Sequence, residues 1–152
     1  MAKIEQEKFG VRVMREEDLG AIIHIDEKVT GTRRTDYYER KVRSMLDMKG
    51  SISTSLVGDY DGRVIGFIMG NVYTGEFGIP QTTASLDTIG IDPDFADQGV
   101  GTLLMEEFVR HVSAAGVDSI QTLVDWNDTR LLRFFNRCGF VPSKTLNLEK
   151  RI

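Results

Sequence analysis

An α/β (α+β) fold, with a mixed sheet flanked by helices, is predicted for this chain by three observations. Apolar runs of period two alternate with amphipathic helical stretches in the order β-α-α-β-β-β-α-β-α-β. Asp61-Gly62 separates two such runs and is a strong tight-hairpin signal. A third apolar run stops at Asp92-Pro93, and after a short turn Gly99-Val100-Gly101 opens an amphipathic helix.

The elements follow in order. Phe9 to Met14 alternates loosely, with Val11 and Val13 on one side, and reads as a short first strand. Arg15-Glu16-Glu17-Asp18 places acids in the first turn of a helix whose apolar face is Leu19, Ile22, Ile23 and Val29. Gly31-Thr32 interrupts it, and a second helical stretch from about Asp36 to Met48 closes at Gly50. Ser53 to Tyr60 and Arg63 to Val72 are the hairpin strands, 75–80 is a loop, and Ala84 to Ile91 is the next strand. Val100, Leu103, Leu104, Phe108 and Val112 then fall at helical spacing, and Ala114-Ala115-Gly116 ends that helix. Ser119 to Val124 reads as a strand, Asp128 to Cys138 as a short helix capped by Gly139, and Thr145 to Lys150 as a last strand. With no repeat, low-complexity stretch or linker, a single domain over 1–152 is expected.

Composition narrows the function classes. The 41% hydrophobic and 28% charged content is that of an ordinary globular protein. A net charge of −4 argues against a sequence-independent nucleic-acid binder and against an anionic-membrane binder. Arg33-Arg34 and Arg40-Lys41-Arg43 are local basic stretches, read as solvated helix faces. Cys138 is the single cysteine, which precludes an intrachain disulfide and a thiolate cluster. His24 and His111 match no zinc spacing, so no metal is expected. The N-terminus lacks an apolar stretch and no run reaches transmembrane length, so a cytoplasmic protein is expected.

The glycine turn suggests an anion site. The first N–H groups of a helix lack intrahelical partners, and glycines there remove side chains that would block close approach. A dinucleotide fingerprint fails, because Leu104 stands where a third glycine is needed, and a P-loop fails for want of Gly-Lys-Ser/Thr. Two segments together point elsewhere: LDTIGIDPDFADQGVGTLL (86–104) and LVDWNDTRLLRFFNRCGFVPS (123–143). Their order and setting resemble the GNAT superfamily of N-acetyltransferases over nearly the whole chain. The resemblance implies that family's fold, a mostly antiparallel mixed sheet with a splayed central strand pair.

It also implies acetyl transfer from acetyl-CoA to a primary amine by direct attack on the thioester. In such proteins the signature turn binds the CoA pyrophosphate through backbone N–H groups, here those of Gln98, Gly99, Val100, Gly101 and Thr102. Exposed backbone near Ile89, Gly90 and Ile91 would hold pantetheine and the acetyl carbonyl, with Gly90 suited to the bulge where the strands part. Asn127, Asp128 and Phe135 are the cofactor-side positions of the second segment. Departures from the family pattern are clear: Ala96 and Asp97 replace the usual first signature residues. Asp128 stands where asparagine is common, and Phe135 where many members have a tyrosine that protonates the departing thiolate.

Asp87, on the strand facing the expected cleft, is the candidate general base, with Glu76 as the competing carboxylate and Tyr73 as a phenol near the thioester. Cys138 beside Gly139 reads as an inert buried thiol, His24 and His111 as structural residues, and Trp126 as either core or acyl-site border. Arg33, Arg34, Tyr37 and Tyr38 occupy the family's usual acceptor side. The expected acceptor is an amine-bearing protein, peptide or small molecule, and members of this family often form homodimers. The alternative from another class is a non-catalytic acyl-CoA-binding sensor of the same fold.

Overall fold

Asp61 and Gly62 both adopt positive φ (52° and 84°), the conformation of a tight hairpin turn, and this fixes the first pairing of the sheet. The computed structural model describes residues 3–47, 54–74 and 82–152. Expectations for the loop at 75–80, for Gly50 and Ser53, and for Glu76 lie outside the described residues, as does the side chain of Tyr73. The chain divides into two compact units, Met1–Thr122 and Leu123–Ile152.

In the first unit, β1 (Phe9–Val13), β2 (Leu56–Tyr60), β3 (Arg63–Thr74), β4 (Thr82–Ile91) and β5 (Ser119–Thr122) form one sheet in the order β1-β2-β3-β4-β5. The first four strands are antiparallel, and β5 joins β4 in parallel, so the sheet is mixed as expected. Helices α1 (Leu19–Thr30) and α2 (Thr35–Asp47) share a core with the face that carries Val57, Phe67 and Met69. Ile22, Ile23, Ile25, Tyr38 and Val42 complete it, and burying each such side chain contributes about 1.5–3 kcal/mol. Val29, expected on that apolar face, is instead 56% exposed, because the last turn of α1 has solvent around it. The acid-rich 16–18 segment forms a separate 3₁₀ turn before α1, with Asp18 accepting from Arg12 and from the Arg15 N–H.

Helix α3 (Val100–Ala114) lies on the opposite face of the sheet. Val100, Leu104 and Phe108 meet β2 and β3 where Gly58, Gly66 and Gly70 leave no side chain. A Cβ on Gly70 would come within 2.7 Å of the Phe108 ring, and one on Gly66 within 3.1 Å of Leu104. The glycines therefore set how closely α3 approaches the sheet.

The second unit contains α4 (Thr129–Arg137), capped at its start by the Asp128 carboxylate accepting from the Leu131 N–H. Its end is a Schellman turn: Phe140 N–H donates to the Phe135 carbonyl and Gly139, at φ 91°, to that of Asn136. Residues 145–150 do not form the expected strand. Leu146 and Leu148 alternate correctly but are 87% and 88% exposed. Alternation chooses the faces of a strand, yet a strand also needs a backbone to bond, and among the described residues none pairs with this segment.

Candidate active site

The register of β3 and β4 shifts between Met69 and Gly70: Met69 pairs with Thr88 but Gly70 pairs with Leu86. Asp87 is therefore the extra residue of a β-bulge. The bulge was expected at Gly90, and the structure corrects this. Gly90 is paired with Phe67, and a Cβ there would stand 2.6 Å from the Phe67 ring. Its glycine makes room for that ring within a regular ladder.

Beyond the bulge, one side of β4 is open in the sense that no strand of the first unit pairs with it among the described residues. Its parallel pairing with β5 ends at Leu86↔Thr122, where the Thr122 hydroxyl donates to the Leu86 carbonyl at 2.9 Å. Asp92 N–H donates to the Ile65 carbonyl at 2.8 Å, which fixes the alternation of the β3–β4 ladder. Ile89 and Ile91 consequently turn their N–H and C=O groups away from β3, toward the open side, whereas those of Gly90 bond β3.

The strand ends in the turn that the sequence singled out. Asp92, which is buried, caps the 3₁₀ turn Pro93–Phe95 by accepting from the Asp94 N–H at 3.0 Å. Lys28 and Arg63 also donate to it, at 2.6 and 3.0 Å. Burial raises its carboxyl pKa, but Lys28 and the Asp94 N–H outweigh this and hold it below the usual range. Asp97 follows at φ 59° and Gly99 at φ 82°, after which α3 begins at Val100. Gly99 makes no side-chain cap, so the N–H groups of Val100, Gly101 and Thr102 open the helix without helical partners. The Gln98 side chain is tied to the N-terminal segment, accepting from the Ile4 N–H at 2.6 Å. The donors that open α3 at this turn are thus backbone N–H groups, and Asp97 precedes them in the chain. Helix-start donors beside a glycine in the left-handed region are an arrangement that suits an anion.

The Asp87 side chain enters a cavity of about 280 Å³ between α2 and the sheet. Tyr37, Arg40, Lys41, Ser44 and Met45 form one stripe of α2 along it, facing Ser55, Met69 and Asn71. Three donors converge on the carboxylate: Lys41 Nζ at 3.0 Å and Asn71 Nδ2 at 2.7 Å on Oδ2, and Ser85 Oγ at 2.6 Å on Oδ1. Sequence reasoning found Asp87 but missed these partners. Lys41 and Tyr37, one helical turn apart, were visible as a stripe; the approach of Asn71 depends on a strand register that the sequence does not display.

Next to the cavity, Tyr38 is fully buried and donates its hydroxyl to Asp26 Oδ1 at 2.8 Å. Arg34 holds the same carboxylate through two hydrogen bonds at 2.5 and 2.8 Å. Burial pushes Asp26 up, but Arg34 and Tyr38 bring it below the usual range. Burial and the Asp26 charge push the Tyr38 phenol up to about 12. Its hydroxyl is also within reach of Thr88, beside the bulge. Arg34 and Lys41 are therefore engaged in ion pairs across the fold, not displayed on a solvated helix face. Arg33 pairs with Glu27 at 2.8 Å.

The other candidates are placed as follows. Asn127 is exposed in the turn before α4, Asp128 is the cap of that helix, and Phe135 is buried between the rings of Phe134 and Phe140. Trp126 is 88% exposed. His24 is exposed, and His111 lies 3.9 Å from Glu107 on α3. Among the described residues no His, Cys, Asp and Glu side chains gather as a metal site, and no helix is long and apolar enough to cross a membrane.

Solved structures share this architecture. A transcriptional regulator from Bacillus halodurans C-125 superposes with a TM-score of 0.78 at 18% identity, covering 95% of this chain and 99% of that one. The aminoglycoside N-acetyltransferase AAC(6')-Iy in complex with CoA gives 0.78 at 16% identity, covering 94% of each chain. The ribosomal-protein-S18-alanine N-acetyltransferase from Escherichia coli gives 0.72 at 20% identity, covering 90% of this chain and 79% of that one. At such identities the likeness shows the fold. The acetyltransferase (GNAT) family model matches residues 17–140, and the chain belongs to that family.

Proposed function

We propose that the protein moves an acetyl group from acetyl-CoA to a primary amine, and that Asp87 is the general base. The observation that carries this reading is the position of Asp87: a carboxylate in the bulge of β4, projecting into a cavity, on the strand whose open side presents Ile89 and Ile91. Acetyl-CoA supplies the activated thioester. The backbone N–H groups of Val100, Gly101 and Thr102 hold its pyrophosphate, and the outward N–H groups of Ile89 and Ile91 orient pantetheine and polarise the acetyl carbonyl. Asp87 takes a proton from the acceptor ammonium, and the freed amine attacks the carbonyl carbon. The carbon–sulfur bond breaks as the amide forms, and the thiolate takes its proton from water. No covalent enzyme intermediate is needed. A protein or peptide amine is the favoured acceptor. The relatives named as acetyltransferases of aminoglycosides and of a ribosomal-protein alanine support amines as the acceptor class.

Thiol release from acetyl-CoA, followed with a panel of peptides and polyamines, tests the proposal. Release with at least one amine supports it. A thermal shift with acetyl-CoA but no release from any acceptor supports the sensor alternative, and no shift with any acyl-CoA overturns both.

A further inference from the structure

The Lys41–Asp87 pair has a consequence for the acceptor. Lys41 reaches from α2 to β4 and donates to Asp87 at 3.0 Å, with the two side chains only 22% and 21% exposed. The carboxylate that is to receive an acceptor ammonium already holds an ammonium. Asn71 and Ser85 hold it from the other directions. With three donors already on a carboxylate that accepts about four, an incoming ammonium competes with Lys41 for Asp87, and displacing it leaves the lysine charge unpaired in a partly desolvated cavity. Arg40 lines the same cavity, donates to the Asp36 carbonyl at 3.2 Å, and among the described residues forms no ion pair. Two cations thus stand against one anion in the lining.

We infer that the acceptor carries a carboxylate beside its amine, and that binding is an exchange of ion pairs. The acceptor ammonium takes the place of Lys41 on Asp87, while the acceptor carboxylate takes up Lys41 and Arg40. Lys41 is then the residue that determines specificity, because a monoamine or polycation cannot compensate the lysine it displaces. This rests on the acetyl-transfer reading above.

The test measures kcat/KM for thiol release with amidated short peptides beginning in aspartate or glutamate, the same peptides beginning in asparagine or glutamine, and spermidine. Binding of acetyl-CoA is followed separately by calorimetry. The acidic peptides are expected to exceed their amide counterparts on the order of tenfold, with the gap narrowing in high salt. Lys41→Met should abolish that preference mainly through KM, while Lys41→Arg should keep it. Faster turnover of amides or spermidine by the unaltered protein, or an acid preference unchanged in Lys41→Met, overturns the inference and leaves acetyl transfer standing. Absence of acetyl-CoA binding, or binding without release from any peptide or amine, overturns the acetyl-transfer reading and the inference with it.

Discussion

At the scale of single residues, Asp87 is where the backbone irregularity and the chemistry meet. A bulge adds one residue to one strand and re-aims its side chain, which here sends a carboxylate into a cavity. Replacement by asparagine preserves shape and removes the proposed base, so on that reading Asp87→Asn should slow transfer on the order of 10²-fold. The loss should shrink as pH approaches the acceptor amine's own pKa, where free amine no longer needs a base; an unchanged pH profile of kcat/KM would remove Asp87 from the mechanism. Asp97 invites the opposite result. It sits at φ 59°, a region asparagine also tolerates, three residues before the start of α3 and the proposed pyrophosphate donors. Asp97→Asn should therefore tighten CoA binding by roughly 2–5-fold at low salt, measured by calorimetry, and less at high salt.

At the scale of elements, α3 and β4 cooperate because small residues let them. Gly70 has the Ser85 carbonyl on one side and the Phe108 ring on the other. Gly70→Ala should lower stability by about 1–3 kcal/mol in denaturant titrations, through displacement of α3 or β4. Gly101 is different, being in the first turn of α3 where the proposed pyrophosphate site lies. Gly101→Val should leave the thermal transition near that of the parent while abolishing detectable acetyl-CoA binding. Normal binding by that variant would place the pyrophosphate elsewhere.

At the scale of the whole molecule, the first unit is cross-linked by buried carboxylates. Asp18 is paired with Arg12 of β1, Asp26 joins α1 to Arg34 and Tyr38, and Asp92 gathers Lys28 of α1 and Arg63 of β3. All three have carboxyl pKa values held below the ordinary 3.8, because their hydrogen-bonded cations outweigh the burial that pushes them up. Depressed values in the folded state mean a stability contribution that is complete above about pH 4 and is lost as pH falls through the folded values. The melting temperature should be flat near neutrality and drop steeply below about pH 4, with a shallower drop in Asp26→Asn, whose neutral plateau is itself lower. Tyr38 acts at the other end: its phenol, raised from 10.0 to about 12, contributes stability that is lost as pH rises through that interval.

Much of the fold was legible in the sequence because its signals are local. The Asp61-Gly62 hairpin, the strand–turn–helix around Gly99 and the stripe of Val100, Leu104 and Phe108 each follow from covalent geometry and side-chain period over a few residues. The two motif segments then identified the family that the 17–140 match shows. What the chain could not display was partnership. Whether Gly90 or Asp87 is the bulge depends on how β4 registers against β3, and Phe67 decides it by claiming the space over Gly90. The alternation of Leu146 and Leu148 was as clear as any strand pattern, but among the described residues no backbone pairs with it. Lys41 and Asp87 are 46 positions apart, and only the packing of α2 on the sheet brings their charges to 3.0 Å. Local conformation is set by torsions within a few residues, so the sequence by itself determined most of the elements and the strand–turn–helix around Gly99. Register, ion pairing and the contents of the cavity are contacts between distant segments, and the tertiary structure alone decided them.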